Sequence, residues 1–231
     1  MHRGLTLIEV LVLLFVISVA LAALAMGCAS ARESARRATC ESNQRQHTLA
    51  LLQYDNLRRQ FPGFRQKLAG QDASWVVMLL PYLDQDDLWQ KWKAGTPQKA
   101  RLMVMVCPSD WPDKASLADG PSAYAVNTKV CMDGKGLSVG YIADKDGTTC
   151  TLLISENLRI DKAHTWWDTD PLRVGFTNGP MAANIRSNHG GGAVAGFCDG
   201  HVMFLRGDLS DDLFKALVTP DGGEKVDESQ L

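Results

Sequence analysis

The chain has 231 residues, with 24 Lys and Arg against 26 Asp and Glu, five His, six Cys and a formal net charge of −2. At 45% hydrophobic and 22% charged it has the composition of a folded chain rather than of a disordered polyanion, and the balanced charge excludes a basic nucleic-acid binder. That length holds one medium domain, or a smaller one with an appendage.

The first element is apolar. Residues 10–29 contain no charge over 20 positions; as a helix they span about 30 Å, the hydrocarbon thickness of a bilayer, so a membrane-spanning helix is expected there. A cleaved secretory signal has an apolar core of about 7–15 residues and an A-x-A-like exit, which this run does not match. Two other readings of the segment are a lipobox at Ala25-Met26-Gly27-Cys28, which would make Cys28 the lipidated N-terminus, and a plain unprocessed anchor. Before the run stands Met1-His2-Arg3-Gly4-Leu5-Thr6-Leu7-Ile8-Glu9, with a single acid. A carboxylate at the margin of such a helix costs a few kcal/mol unless paired, which marks Glu9 as functional. Arg32, Arg36, Arg37 and Arg45 follow the run, and by charge alone they would put the C-terminal part in the cytoplasm. Six cysteines instead suit an oxidising compartment.

From 31 to 59 there is no Pro or Gly, so the helix continues, with Ala31, Ala35, Ala38 and Ser42 forming a narrow small-residue stripe that Leu49, Leu52 and Tyr54 widen. It stops at Phe61-Pro62-Gly63. A helix over 5–60 would be about 84 Å long.

Residues 61–231 are enough to bury an independent core. Residues 75–83 read as a short apolar helix or packed turn ended by Pro81, residues 102–106 as a buried strand running into Cys107-Pro108, and residues 149–154 as another strand. Two apolar runs, 193–198 and 201–205, flank Asp199-Gly200, which is a β-hairpin signal. Ser210 caps a last helix with Asp211 and Asp212 in its first turn, and a mobile tail follows from Asp221-Gly222-Gly223. The fold class expected is α+β, one long helix whose outer half packs on an antiparallel sheet.

Candidate chemistry in this part is thin. His189 and Asp199, with His201 nearby, fall short of the three or four ligands a zinc site needs, and Asp199-Gly200 is already explained by a turn that requires positive φ. Gly136-Leu137-Ser138-Val139-Gly140 and His189-Gly190-Gly191-Gly192 imitate a nucleophile elbow and an oxyanion loop. They occur in the wrong order for a hydrolase, and residues 141–147 do not read as the helix an elbow requires. Asp144-x-Asp146-Gly147 opens like a calcium loop, yet Ser155 stands where the bidentate Glu belongs and Glu156 misses by one, so a surface turn is expected. Trp166-Trp167 reads as core or an interface edge. No catalytic set and no metal-binding set emerges, so the chain is not expected to be an enzyme. Outside Cys28 five cysteines remain, an odd number. Cys131 and Cys150 would close a modest loop worth about 3 kcal/mol, whereas buried reduced thiols are the alternative for all five.

Gly4-Leu5-Thr6-Leu7-Ile8-Glu9 before an uninterrupted apolar run resembles the leader of type IV pilins and type II secretion pseudopilins, with Leu5 where Phe is usual. The resemblance implies cleavage between Gly4 and Leu5 by a prepilin peptidase, N-methylation of Leu5, and pairing of Glu9 with the N-terminus of a neighbouring subunit. It also implies a leader at 1–4, a helix at 5–60 anchored in inner-membrane lipid, a periplasmic ectodomain at 61–231, and pilin or pseudopilin subunits as partners. Further along, Ala31-Arg32-Glu33-Ser34-Ala35-Arg36-Arg37, Cys40, Gln53-Tyr54, Ser74-Trp75, Leu79-Leu80-Pro81-Tyr82-Leu83, Cys107-Pro108-Ser109-Asp110, Ser122-Ala123-Tyr124, Asp146-Gly147-Thr148, Ile154-Ser155-Glu156 and His189 with Asp199-Gly200 are similar to the prepilin-type family with a His-x9-Asp-Gly domain. That domain, 189–200 here, has no known role. Because Cys40 and Cys107 lie in two of the family-like motifs, a bond between them is the leading disulfide expected. Some pseudopilins bind calcium near their C-terminal sheet. The expectation is therefore a structural subunit of a pilus or pseudopilus; the alternative is a membrane-tethered periplasmic binding protein or enzyme that borrows only the leader.

Overall fold

The uninterrupted helix-forming stretch yields a single helix, α1, over Leu7–Arg58. The computed structural model describes residues 6–109, 120–158, 164–224 and 226, apart from the side chains of 23–29. Thr6 caps α1 and Glu9 completes a capping box. Arg59 ends the helix in the left-handed region at φ 58°, its N–H on the Asp55 carbonyl at 2.6 Å.

The two halves of α1 have different surroundings. In the outer half Cys40, Gln44, His47, Thr48, Leu51 and Tyr54 are buried at spacings of three and four, a one-sided stripe. Residues 6–22 are exposed on every side. Among the described residues no helix is long and apolar enough to cross a membrane, which overturns the expected membrane-spanning first half.

A hairpin of β1 (Arg65–Leu68) and β2 (Gln71–Ser74) follows, then α2 (Trp75–Leu79), whose N-cap Ser74 accepts from the Val77 N–H at 3.3 Å, a 3-10 turn at Leu80–Tyr82, and α3 (Asp86–Lys93). The main sheet is built from β3 (Tyr124–Asn127), β4 (Leu152–Glu156), β5 (Gly175–Phe176), β6 (Gly192–Phe197) and β7 (Val202–Arg206) in the order β5-β3-β4-β6-β7.

The sheet is mixed, which corrects the expected antiparallel one: β5 runs parallel to β3, Val126 opposite Gly175 and Asn127 opposite Phe176. The long crossover from β4 includes a one-turn helix at Pro171–Val174, capped by Asp170, that delivers this two-residue edge strand in the direction of β3. A Cβ on Gly175 would overlap the Thr128 side chain, so only glycine admits the approach.

Residues 102–106 are no strand either. They form a 3-10 turn at Met103–Met105, and two carbonyls of the segment are taken by side chains of α1: Asn43 Nδ2 donates to Val106 O at 3.1 Å and His47 Nε2 lies 2.9 Å from Val104 O. Of residues 141–147, read above as non-helical, 141–143 belong to a one-turn helix, Val139–Ala143, capped by Ser138, whose hydroxyl accepts from the Tyr141 N–H at 3.1 Å.

The hairpin at Asp199-Gly200 forms between β6 and β7, with Gly196 opposite Val202 and Gly200 at φ 103°. Strand alternation then makes two cores. Tyr124, Val126, Ile154 and Val194 pack under α1 with Trp75, Val77 and Leu79; Ala125, Leu152, Ala193, Ala195 and Phe197 pack under the C-terminal helix Asp211–Val218 with Phe214, Leu217 and Val218. Arg37 seats α1 on the far strand, its guanidinium 3.5 Å from the Phe204 ring centre.

His47, fully buried between Trp75 and Tyr124, is pushed down to about 4 by burial. The unfolded chain, with its histidine near 6.5, then binds a proton that the folded chain refuses between about pH 6.5 and 4. The contribution of His47 to stability is therefore complete above pH 6.5 and falls by about 3 kcal/mol on acidification through that window. Urea unfolding at several pH values should show this slope and should lose it in His47→Gln.

Candidate functional site

Four segments meet where the outer half of α1 crosses β4 and β6. α1 is held there by Gln44, whose Nε2 donates to Val194 O at 2.7 Å, and by Thr48, which faces Gly196. One turn before Gln44 the same stripe carries Cys40. The 3-10 turn leads into Cys107, placing its sulfur 2.7 Å from that of Cys40. Glu156 ends β4, paired across the ladder with Tyr124. His189 lies in the loop feeding β6, where its N–H bonds the Ser187 hydroxyl at 3.1 Å.

The side chains converge. His189 Nε2 is 3.5 Å from Cys107 Sγ and 3.5 Å from Glu156 Oε1. Glu156 Oε2 accepts from the Val194 N–H at 3.1 Å, while Oε1 has no hydrogen-bond partner. On the other edge of the imidazole, Nδ1 lies 2.7 Å from Glu33 Oε1 and 3.3 Å from the Ser109 hydroxyl, which itself donates to Glu33 at 3.1 Å. Cys40, Cys107 and Glu156 are fully buried and His189 nearly so. A cleft of about 410 Å³ lined by Ser187, Asn188, His189 and Gly192 opens beside the imidazole.

Charge follows geometry. His189 rises to about 9, chiefly through Glu156, with burial opposing and Glu33 assisting. Burial works to raise the Glu156 carboxyl, but His189, Ser187 and the Val194 N–H outweigh it and hold it below the ordinary carboxylate range. The contact with Cys107, and then burial, push the Cys40 thiol up. Chemically, two thiols, an imidazole nitrogen and a carboxylate stand with all their ligand atoms within 4.8 Å of one another, a set able to hold a metal ion.

The expected sites are distributed as follows. Gly4 and Leu5 lie outside the described residues, as does the Cys28 side chain. Glu9 is at the exposed start of α1, its carboxylate on the Thr6 N–H at 2.7 Å and the Thr6 hydroxyl at 2.9 Å. Cys40 and Cys107 are brought together; all five described cysteines are free thiols, including Cys131, deeply buried, and Cys150, half-buried. His189 enters the cluster, but Asp199 does not. It lies past the other end of β6, about 20 Å of strand away, and binds His201 instead, at 2.6 Å to Nδ1, while that ring stacks on Phe197. Asp146 accepts from the N–H groups of Gly222 and Gly223 at 2.8 Å each, tying down the tail, so its turn is structural.

Glu33 and Glu156 carried no assigned role in the sequence, although both stand in motifs that carried the resemblance. The missing signal was spatial: spacing rules examine neighbours in the chain, and the side chains that meet here come from distant segments.

A family model described as "Protein of unknown function (DUF1559)" matches residues 29–144. The match includes Glu33, Cys40 and Cys107; the leader, Glu156 and the His189–Gly200 segment lie outside it. No curated protein and no solved structure matches the chain.

Proposed function

The chain belongs to the DUF1559 family, which is typical of prepilin-like proteins, and from that premise we propose that it is a structural, pilin-like subunit. In this proposal a prepilin peptidase cuts between Gly4 and Leu5, Leu5 is methylated, and subunits assemble through Glu9 into a pilus or pseudopilus whose surface is made by residues 61–231, facing the periplasm.

The observation that carries it is the start of α1. Leu7 is 78% exposed and Phe15 69%, and the apolar residues between them cover the whole circumference. A helix apolar on all sides needs cover on all sides. A single docking face would leave most of it wet; a bundle of the same helix from neighbouring copies covers it completely. Glu9 fits this assembly, since Thr6 holds its carboxylate only through exposed hydrogen bonds, which an incoming α-amino group can replace with a charge-assisted one.

The test uses the full chain expressed with a prepilin peptidase. We expect an N-terminal peptide starting at methylated Leu5 and filaments by electron microscopy. Glu9→Ala should be cut normally and give no filaments. An uncut Met1, or filaments from the cleaved variant, would overturn the proposal.

A further inference from the structure

The cluster behind α1 has no part in that assembly, and its geometry is that of a ligand set. We propose that Cys40, Cys107, His189 and Glu156 bind one zinc ion, which clamps α1, the 3-10 turn, β4 and the loop before β6 together.

Three observations support it. First, the spacing around His189 fits. A tetrahedral zinc with Zn–N of about 2.0 Å and Zn–S of about 2.3 Å has N···S edges of about 3.5 Å, and His189 Nε2 stands 3.5 Å from Cys107 Sγ and from Glu156 Oε1. The sulfurs, 2.7 Å apart, would have to open by about 1 Å to span the S···S edge.

Second, the imidazole is presented as zinc ligands are. Glu33 accepts the Nδ1–H hydrogen bond at 2.7 Å, with Ser109 bracing the carboxylate, so Nε2 faces the Cys107 sulfur and offers its lone pair once its own proton has left. A carboxylate on the far nitrogen fixes the tautomer and the ring orientation of a metal-bound histidine.

Third, Glu156 is buried with Oε1 making no hydrogen bond and facing the cluster, His189 Nε2 standing 3.5 Å from it. A buried carboxylate oxygen without a donor is costly, and a cation removes that cost. A Cys40–Cys107 disulfide would leave both this oxygen and the oriented imidazole unexplained. The mixed sulfur, nitrogen and oxygen set suits a borderline cation such as zinc better than Cu(I), which prefers sulfur alone, or calcium, which takes oxygen.

Binding breaks the two thiol S–H bonds and the Nε2–H bond of the imidazolium and forms two Zn–S bonds, one Zn–N bond and one Zn–O bond. Three protons leave to solvent, with no change of oxidation state.

The experiment uses full-length protein purified without chelator under reducing conditions, analysed by elemental mass spectrometry and by titration with Co(II). We expect about one zinc per chain and, for the cobalt form, the intense visible bands of tetrahedral coordination with thiolate charge transfer in the near ultraviolet. Cys107→Ser should lose the charge-transfer band and nearly all the zinc. Glu33 is a positioning residue: Glu33→Gln should weaken zinc binding by about 10–100-fold while the cobalt spectrum keeps its shape. The wild-type stoichiometry and spectrum stand independently of whether either variant folds. A wild-type chain that takes up no zinc, or one whose intact mass is two hydrogens light with Cys40 and Cys107 both blocked to alkylation, would overturn the proposal.

Discussion

Trp166→Ala should lower the unfolding free energy by about 3–5 kcal/mol, the cost of removing a large buried aromatic ring and leaving a cavity. Trp166 is fully enclosed, packed edge-on against Trp167 at 5.1 Å and tilted against Trp92 at 6.4 Å. Its Nε1–H donates to Ala100 O at 2.6 Å, its backbone N–H to Gly120 O at 3.1 Å, and its carbonyl accepts the Ser74 hydroxyl. It therefore pins the chain just ahead of the 3-10 turn that delivers Cys107. Urea unfolding should show the loss as a lower midpoint at unchanged slope. Cys107 should also react faster with a thiol reagent in the folded variant. Trp166→Phe, which keeps most of the ring but cannot donate to Ala100, should cost less in packing. A variant as stable as the wild type would mean that the segments at Ser74, Ala100 and Gly120 are held from elsewhere.

The second large effect lies where α1 rests on β6. Gly196→Val should destabilise by about 3 kcal/mol through overpacking. A Cβ at Gly196 would overlap the Thr48 hydroxyl and stand 3.0 Å from Ile154 Cγ2. Neither neighbour can yield cheaply, since Thr48 is buried and donates to Gln44 O at 2.8 Å, and Ile154 is fully buried. Because the clash is with one atom of α1, it should be relieved from that side. In a double-mutant cycle Gly196→Ala and Thr48→Ala should cost less together than the sum of their separate costs. Simple additivity would show that α1 does not rest on β6 at this point. Lifting α1 would also draw Cys40 away from Cys107, so the same variants should bind zinc more weakly.

These two supports show which features were legible in the sequence. The hairpin at Asp199-Gly200, the Ser210 cap and the long helix without Pro or Gly were legible because each depends on residues a few positions apart. Thr6-x-x-Glu9 is equally legible as a capping box, since its two partners stand three residues apart. The strand expected at 102–106 failed because its apolar residues are those of a strand, while its backbone partners are side chains of α1 some 60 positions away. The parallel edge strand escaped for a similar reason: two residues carry no periodicity, and their direction is set by the crossover that precedes them.

By itself the sequence determined the periodic and capped elements, the apolar start of α1 and the family to which the chain belongs, because local sterics, capping and hydrophobic spacing act over a few residues. Only the tertiary structure decided what surrounds Cys40. Seating α1 on β6 brings a helix residue, a turn residue, a strand end and a loop imidazole to one buried point. No pattern along the chain encodes that meeting, because burying two apolar faces against each other fixes a position in space and leaves sequence separation unconstrained.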